Sequence, residues 1–103
     1  MYAAIRRYER VEPDAIPKIR QLVEDEFLPK LGGEGFRGYY LIDEGDGNAI
    51  TISIFDSRER AEESTRLAAE LVRDKMSELI SSPPTVMTGE VTFSKVMEGA
   101  GVS

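Results

Sequence analysis

Two adjacent arginines are the residues of this sequence whose charge and position suggest chemistry most directly. Arg6 and Arg7 lie in a stretch with tyrosine and isoleucine, Tyr2 to Glu9, that is typical of a β-strand. Because successive side chains of a strand point to opposite faces, the two guanidinium groups must separate. An enclosed guanidinium needs an acceptor. The alternatives are an ion pair with Glu90 or Glu9, a strand-end position that reaches solvent, or an anchor for an anion or carbonyl group in a ligand cavity.

Aromatic and hydroxyl side chains complete the candidate cavity. The candidates for contact with a ligand are Arg6, Tyr8, Tyr39, Tyr40, Ser53 and Phe55. Tyr39 and Tyr40 are neighbours in sequence, so one phenol is expected on each face of their strand. Packing in a core or an interface is one interpretation of these tyrosines, and a phenol that lines a cavity is the other. The sequence does not single out a catalytic residue.

The composition excludes several kinds of chemistry. The 103-residue chain has no cysteine and no histidine, which removes thiolate nucleophiles, the usual general base and the commonest metal ligands. We therefore expect no metal site and no cofactor. The net charge of -6 argues against nucleic acid or an anionic membrane as a partner. Without a membrane-spanning apolar run or a signal-peptide pattern at the N-terminus, we expect a cytoplasmic location.

The periodicity of apolar residues predicts six elements in one domain. They are a strand from Tyr2 to Glu9, a helix between Asp14 and Pro29, strands from Phe36 to Asp43 and from Ala49 to Phe55, a helix from about Ser57 to Ile80, and a strand from about Val86 to Val96. Turn-forming residues between the second and third strands predict a hairpin. The domain is expected to span residues 1–97, with a flexible tail at 98–103.

Each predicted helix has a candidate N-cap. Asp14 is a plausible cap of the first helix, with Pro17 tolerated in its first turn, and Pro29 and the Gly32-Gly33 pair mark its end. Asp56 resembles the cap of the second helix, with Glu59 at the third helical position as in a capping box.

This order of elements, βαββαβ, predicts an α+β ferredoxin-like fold, in which a four-stranded antiparallel sheet carries both helices on one face. Ile50, Ile52 and Ile54 form the set that we expect to face the helices. The opposite face would then carry Thr51, Ser53 and Phe55. An aromatic face is a poor solvent face, so we expect a second copy of the sheet to cover it in a homodimer.

The sequence also resembles a known family over nearly its whole length. The resemblance rests on five segments: Tyr2 to Tyr8, Tyr39-Tyr40, Ser53 to Ser57, Ala61 to Thr65, and Gly89 to Val91. These segments resemble the antibiotic biosynthesis monooxygenase-like proteins of the dimeric α/β-barrel superfamily, especially small, stand-alone bacterial members.

The resemblance implies that two sheets pack face to face into a barrel, with the last strand reaching toward the partner. Members of this family oxidise polyketide quinol precursors without a cofactor or degrade haem, and others have no known reaction. Catalytic members place a tryptophan at the end of the third strand and a polar residue on the first. Here those positions correspond to Phe55 and to about Arg6. Because the chain has no tryptophan and no histidine, the residue pattern of the haem-degrading members is not met.

Three functions remain open at this point. The first is a homodimeric barrel that binds a small organic molecule between the sheets. The second is a cofactor-independent monooxygenase. The third is an interaction module with a packed interface. In the second case the substrate is an aromatic polyketide or quinol-type molecule. Its carbanion activates oxygen while Arg6, Tyr8 and a cavity tyrosine polarise its enol or phenol oxygen.

Overall fold

A computed structural model of the protein describes residues 1–96. The elements in chain order are β1 (Tyr2–Tyr8), α1 (Ile16–Leu22), a π-helical turn (Val23–Phe27), α2 (Leu28–Leu31), β2 (Phe36–Gly45), β3 (Asn48–Phe55), α3 (Arg58–Lys75) and β4 (Thr85–Glu90). The strands form one antiparallel sheet in the order β2-β3-β1-β4. The helices pack on one face of it, which confirms the predicted ferredoxin-like arrangement. Among these residues, no helix combines the length and apolar character needed to cross a bilayer.

The face of the sheet that the helices cover is the opposite of the one predicted. Along β3, Thr51, Ser53 and Phe55 are buried beneath the helices, whereas the isoleucines between them are only half-buried. The predicted assignment of Ile50, Ile52 and Ile54 to the helix side was therefore wrong. Apart from Phe55, the buried residues of β3 are small or bear a hydroxyl group, and α3 presents similarly small buried residues, which suits close packing of the two elements.

The isoleucines instead lie on the uncovered face of the sheet, which we call the open face. Strand register places Ile52 between Ile5 of β1 and Tyr40 of β2. The most exposed large apolar side chains of the open face are Tyr40, Met87 and Ile42, at 55%, 54% and 40% exposure. A contiguous apolar surface of this kind is unusual for the solvent side of a sheet.

The first helical region continues through Pro29, one of the two features that were predicted to mark its end. The Leu28 N–H donates to the carbonyl of Val23, which is the five-residue spacing of a π-helix. Pro29 accounts for this wider turn because it lacks an N–H and its ring would clash with the carbonyl of Asp25, four residues earlier. The helix then resumes as α2 and ends at Leu31, directly before the predicted Gly32-Gly33 stop. The π-helical turn directs Val23 and Phe27 into the core.

Both predicted N-caps differ from those observed. Asp14 has a left-handed backbone with φ of 63°, and α1 begins after Ala15 without a side-chain cap. At α3 the cap is Ser57, whose hydroxyl accepts from the N–H of Arg60 at 3.2 Å. Asp56 instead accepts hydrogen bonds from the side chain of Arg37 at 2.6 and 3.3 Å, which tie β2 to the end of β3.

The last strand is shorter than predicted. β4 ends at Glu90, and residues 91–96 continue without strand pairing to other described residues. The N–H of Val91 still donates to the carbonyl of Met1 at 2.8 Å. Phe93 and Val96, predicted to lie in the strand, are highly exposed. The predicted domain boundary at residue 97 and the predicted tail at 98–103 lie outside the described residues.

Candidate functional site

Arg6 lies at the centre of the sheet with its side chain fully buried beneath the helices. Its guanidinium donates four hydrogen bonds, all to hydroxyl groups. Two acceptors lie on β3, where Nε donates to Thr51 Oγ1 at 2.9 Å and Nη2 donates to Ser53 Oγ at 2.6 Å. Two lie on α3, where Nη1 donates to Ser64 Oγ at 3.2 Å and to Thr65 Oγ1 at 3.1 Å. We call these four acceptors the hydroxyl cage.

No carboxylate among residues 1–96 pairs with Arg6. The ion pair predicted with Glu9 is made by Arg7, on the open face, which also pairs with Glu44. The internal ion-pair alternative is therefore wrong for Arg6. A buried arginine usually has a carboxylate partner because desolvation of an isolated charge is costly. Neutral hydroxyls satisfy its N–H groups here without balancing its charge.

Two tyrosines adjoin the guanidinium and remain protonated at neutral pH. Burial raises the pKa of Tyr39 to about 12, against the opposing effect of the nearby Arg6 charge. Burial likewise raises the pKa of Tyr8, again opposed by Arg6. Burial lowers the pKa of Arg6, and both tyrosines act in the opposite direction. An arginine nevertheless remains charged in a protein, so the region combines one cation with neutral phenols.

Phe27 connects these groups to the helices. The Arg6 guanidinium carbon lies 5.8 Å from the centroid of its ring, a cation–π contact. The Phe27 ring also meets Tyr39 edge to face at 5.7 Å and 68°. Because the π-helical turn sets the direction of Phe27, this irregularity of the first helical region positions the aromatic wall beside the buried charge.

A small cavity of about 30 Å³ lies between the helices and the sheet, next to this cluster. Tyr8, Phe27 and Tyr39 supply its aromatic wall, and Thr51 links it to the guanidinium. The rest is aliphatic, with Met76 of the turn after α3 among the lining residues. Methionine adapts readily to irregular ligands. The surface of the cavity is thus almost wholly apolar, although Tyr8, Tyr39 and Thr51 are among the residues that line it.

A surface groove of about 450 Å³ lies next to the cavity. Tyr8, Val72 and Ile80 line both spaces, so these three side chains form the partition between them. A molecule larger than the cavity can enter only if this partition or the helical wall moves.

Five of the six predicted site residues lie on the helix side of the sheet. Tyr8 and Tyr39 line the cavity, while Arg6 and Ser53 lie directly behind it. Phe55 is fully buried elsewhere, in contact with Phe36 and Arg60. Tyr40 lies on the open face. The first five therefore do not face the space between two sheets, where the ligand was predicted.

The site residues predicted from the sequence did not include four members of the cluster: Phe27, Thr51, Ser64 and Thr65. Thr51 was considered but assigned to the wrong face. Ser64 carried a usable signal, because it falls at helical spacing between the buried Ala61 and Ala68. A hydroxyl at a core position of a helix needs a buried polar partner, and that partner is Arg6.

Comparisons with known proteins identify the fold. No family model matches the sequence, and no curated protein matches it. The structure of Rv0793 from Mycobacterium tuberculosis is 24% identical, with 96% of this chain and 98% of that chain covered and a TM-score of 0.61. A monooxygenase from the gene ActVA-Orf6 of Streptomyces coelicolor, solved with the ligand Nanaomycin D, is 16% identical, with 94% and 92% covered and a TM-score of 0.69.

A structure described as an antibiotic biosynthesis monooxygenase is 18% identical, with 89% of this chain and 99% of that chain covered and a TM-score of 0.61. At these identities the similarity shows the fold. It confirms the resemblance predicted from the sequence, and the fold of this chain is that of the antibiotic biosynthesis monooxygenase-like proteins.

Proposed function

We propose that this protein is a homodimer that binds a small organic molecule in the cavity between the helices and the sheet. The observation that carries this proposal is an apolar, partly aromatic cavity that adjoins a buried guanidinium bonded to hydroxyl groups. A core that served packing alone would gain stability from an apolar residue in place of Arg6, because an unbalanced buried charge opposes folding. The position of this charge beside a cavity therefore favours a binding role.

The ligand must displace side chains in order to fit. A volume of about 30 Å³ holds no more than a few water molecules. The partition formed by Tyr8, Val72 and Ile80 is the natural place for this movement, because the larger groove lies directly behind it. The ligand that we propose therefore places one end in the cavity and extends into the groove.

Ala68 provides the test of this site, since its buried side chain lines the cavity from α3. We expect Ala68→Leu to weaken binding of a naphthalene carboxylate or carboxamide at least about tenfold, because the added branch occupies the cavity. Calorimetric titration measures the dissociation constant. Glu62→Leu is the control: it introduces the same side chain at an exposed position of α3 that lines neither the cavity nor the groove, and it should alter binding less than about twofold.

The binding proposal would be contradicted if neither ligand bound the wild-type protein. In that case nuclear magnetic resonance should show no perturbed amide resonances around the cavity. If the protein also failed to increase oxygen uptake with anthrone, the two results would favour the interaction module with a packed interface.

The homodimer is proposed to form through the open face and the segment after β4. The support is chemical: the open face exposes Tyr40, Ile42 and Met87, and the following segment exposes Phe93 at 82% and Val96 at 89%. A second copy is the simplest cover for such a face, because a two-fold axis lets one apolar surface pack on itself. Homodimer interfaces are more apolar than the rest of a protein surface, so exposed apolar side chains of this kind suit one.

A second candidate function is cofactor-independent oxygenation of an aromatic substrate. Tyr8, Tyr39 and Arg6 together can stabilise a phenolate or enolate oxygen, which supports this alternative. In the proposed reaction an activated methylene loses a proton, and the carbanion reduces dioxygen. One oxygen atom becomes a carbonyl of the product and the other leaves in water, so the substrate supplies all four electrons.

An oxygen electrode tests this candidate with anthrone as substrate. Oxygenation predicts the uptake of one oxygen molecule per anthrone consumed, with anthraquinone as product. The rate should fall at least about tenfold in Tyr39→Phe, which removes one donor to the oxyanion. A rate equal to that of anthrone in buffer would contradict catalysis while leaving the binding proposal in place.

The ionisation of Tyr39 offers an independent test of its burial. Because its folded-state pKa is about 12 and its ordinary value is 10.0, its contribution to the free energy of unfolding is complete below pH 10. That contribution is lost as the pH rises through about 12, and it amounts to about 2–3 kcal/mol. Urea unfolding across this range should show a steeper loss of stability in the wild-type protein than in Tyr39→Phe. Parallel pH profiles would contradict the burial of this phenol.

A further inference from the structure

The partition between the cavity and the surface groove consists of three side chains whose backbones are held very differently. Tyr8 belongs to β1, where it pairs with Ala49 of β3. Val72 belongs to the regular helix α3. Ile80 lies outside the helices and the sheet, in the connection from α3 to β4, and pairs with Val11 in an isolated bridge. Ile80 is therefore the part of the partition that can move without disrupting a helix or the sheet.

Residues 76–84, which connect α3 to β4, form a strap across this end of the cavity. Met76 and Ile80 of the strap line the cavity. The groove is lined by Ile80 and by the serines and prolines of the strap: Ser77, Ser81, Ser82, Pro83 and Pro84. The strap thus lies between the two spaces, and an outward movement of Ile80 would join them.

The contacts that hold the strap to the loop after β1 are weak. The N–H of Glu12 donates to the carbonyl of Leu79 at 2.9 Å. The hydroxyl of Ser81 donates to the carbonyl of Arg10 at 3.4 Å, which is long for a hydrogen bond. No salt bridge within residues 1–96 involves a residue of the strap. Release of the strap breaks these bonds and exposes Ile80, whereas unfolding exposes the whole core, so release is a local event.

The two ends of the strap restrict its movement to a swing. At one end α3 stops at Lys75. At the other end Pro83 and Pro84 have fixed φ angles, and each holds the residue before it in an extended conformation. Residues 77–81 contain no proline, so their backbone angles can change. Ile80 is near the middle of the strap and moves furthest when the segment between the two ends swings outward.

We propose that the strap is a gate, which admits a ligand to the cavity by carrying Ile80 outward and joining the cavity to the groove. This inference rests on the proposed binding function and identifies the segment that controls access to that site. Tyr8 and Val72 stay in place and form the fixed rim of the opening. A small population of the open state in the free protein is sufficient, because a ligand that binds only this state shifts the equilibrium toward it.

Native-state hydrogen exchange tests the movement in the protein without ligand. Val11 and Glu12 are adjacent, and each N–H donates a hydrogen bond of 2.9 Å. The acceptor for Glu12 is Leu79 on the strap, whereas the acceptor for Val11 is Gly47 in the hairpin between β2 and β3. After correction for intrinsic rates, we expect the Glu12 amide to exchange at least about tenfold faster than the Val11 amide, because opening of the strap releases only the former. Equal protection of the two amides would overturn the gate.

A reversible lock tests the gate in the presence of a ligand. The chain has no cysteine, so the double variant Glu12→Cys, Leu79→Cys has only the two introduced thiols. The two positions are adjacent to the antiparallel bridge between loop and strap, where facing Cα atoms are about 5.5 Å apart, a separation that a disulfide spans. Neither position lines the cavity or the groove. We expect the oxidised variant to bind naphthalene carboxamide at least about tenfold more weakly than the same variant after reduction, as measured by calorimetric titration.

Ile80→Ala in the oxidised variant separates the gate from any strain that the disulfide causes. Removal of most of this side chain opens the partition while the strap stays locked, so the affinity should recover at least about threefold. Ile16→Ala in the same oxidised variant is the control, because Ile16 lines neither the cavity nor the groove, and it should recover no affinity.

The outcomes distinguish the gate from the proposed function. Equal affinities of the oxidised and reduced forms would overturn the gate and leave the binding function intact. Equal effects of Ile80→Ala and Ile16→Ala would overturn the assignment of Ile80 as the residue that closes the partition. If the wild-type protein binds neither naphthalene ligand, the binding function fails, and with it the role of the strap in ligand access.

Discussion

Replacing Ile52 with lysine is expected to convert the proposed homodimer into a folded monomer. Ile52 lies on β3 at the middle of the open face, between Ile5 and Tyr40. In a two-fold interface both copies would bury the new ammonium group, and the desolvation of each charge costs several kcal/mol. The dissociation constant of the dimer should rise more than about 100-fold. Light scattering coupled to gel filtration, over a range of concentrations, measures this change.

The same substitution should leave the fold of each chain intact, because Ile52 points away from the helices. Far-ultraviolet circular dichroism of Ile52→Lys should match that of the wild-type protein. Ser77→Lys adds the same charge at an exposed position after α3 and serves as the control, which should remain dimeric. A wild-type protein that is a folded monomer at micromolar concentration would contradict the homodimer directly.

Phe27→Ala is expected to cause the largest loss of stability of a single substitution near the site. The Phe27 ring is buried, packs edge to face on Tyr39 and lies against the Arg6 guanidinium. Its removal would enlarge the cavity and leave the buried charge without its aromatic neighbour. We expect the free energy of unfolding to fall by about 3–5 kcal/mol. Denaturant unfolding of the wild-type and variant proteins at equal concentration measures the difference.

Phe27→Leu separates the volume of this side chain from its aromatic character. Leucine fills much of the same space, so the loss should be only about 1–2 kcal/mol, part of it from the ring contacts with Tyr39 and Arg6. Equal losses in Phe27→Leu and Phe27→Ala would show that the ring contacts, and not the filled volume, stabilise this position. A loss below about 1 kcal/mol in Phe27→Ala would contradict the tight packing of the aromatic wall.

The two faces of the sheet have separate roles in this protein. In the sequence-based interpretation one face held both the dimer interface and the ligand. The structure divides them, because the helices cover the hydroxyl residues of β3 and leave its isoleucines on the open face. The isoleucine face is the proposed dimer interface, and the helix side contains the cavity. A substitution such as Ile52→Lys can therefore test assembly without touching the cluster around Arg6.

The sequence by itself determined the order of the elements, the alternation of side chains along each strand and the separation of Arg6 from Arg7. These properties depend on local backbone preference and on the spacing of apolar residues, which a single sequence displays. It also determined that the site could use neither histidine nor cysteine. The order of the elements predicted the ferredoxin-like fold, and the resemblance to a family agreed with it.

Only the tertiary structure decided which face of the sheet the helices cover, and with it the environment of Arg6. Both faces of β3 offered a plausible core, and the choice depends on how closely α3 approaches the sheet. The hydroxyls of Ser64 and Thr65 reach Arg6 from 58 and 59 residues away in the chain. The direction of Phe27 likewise follows from a π-helical turn set by Pro29. Contacts between distant residues have no signature in local periodicity, so the buried, unbalanced charge became visible only in the folded chain.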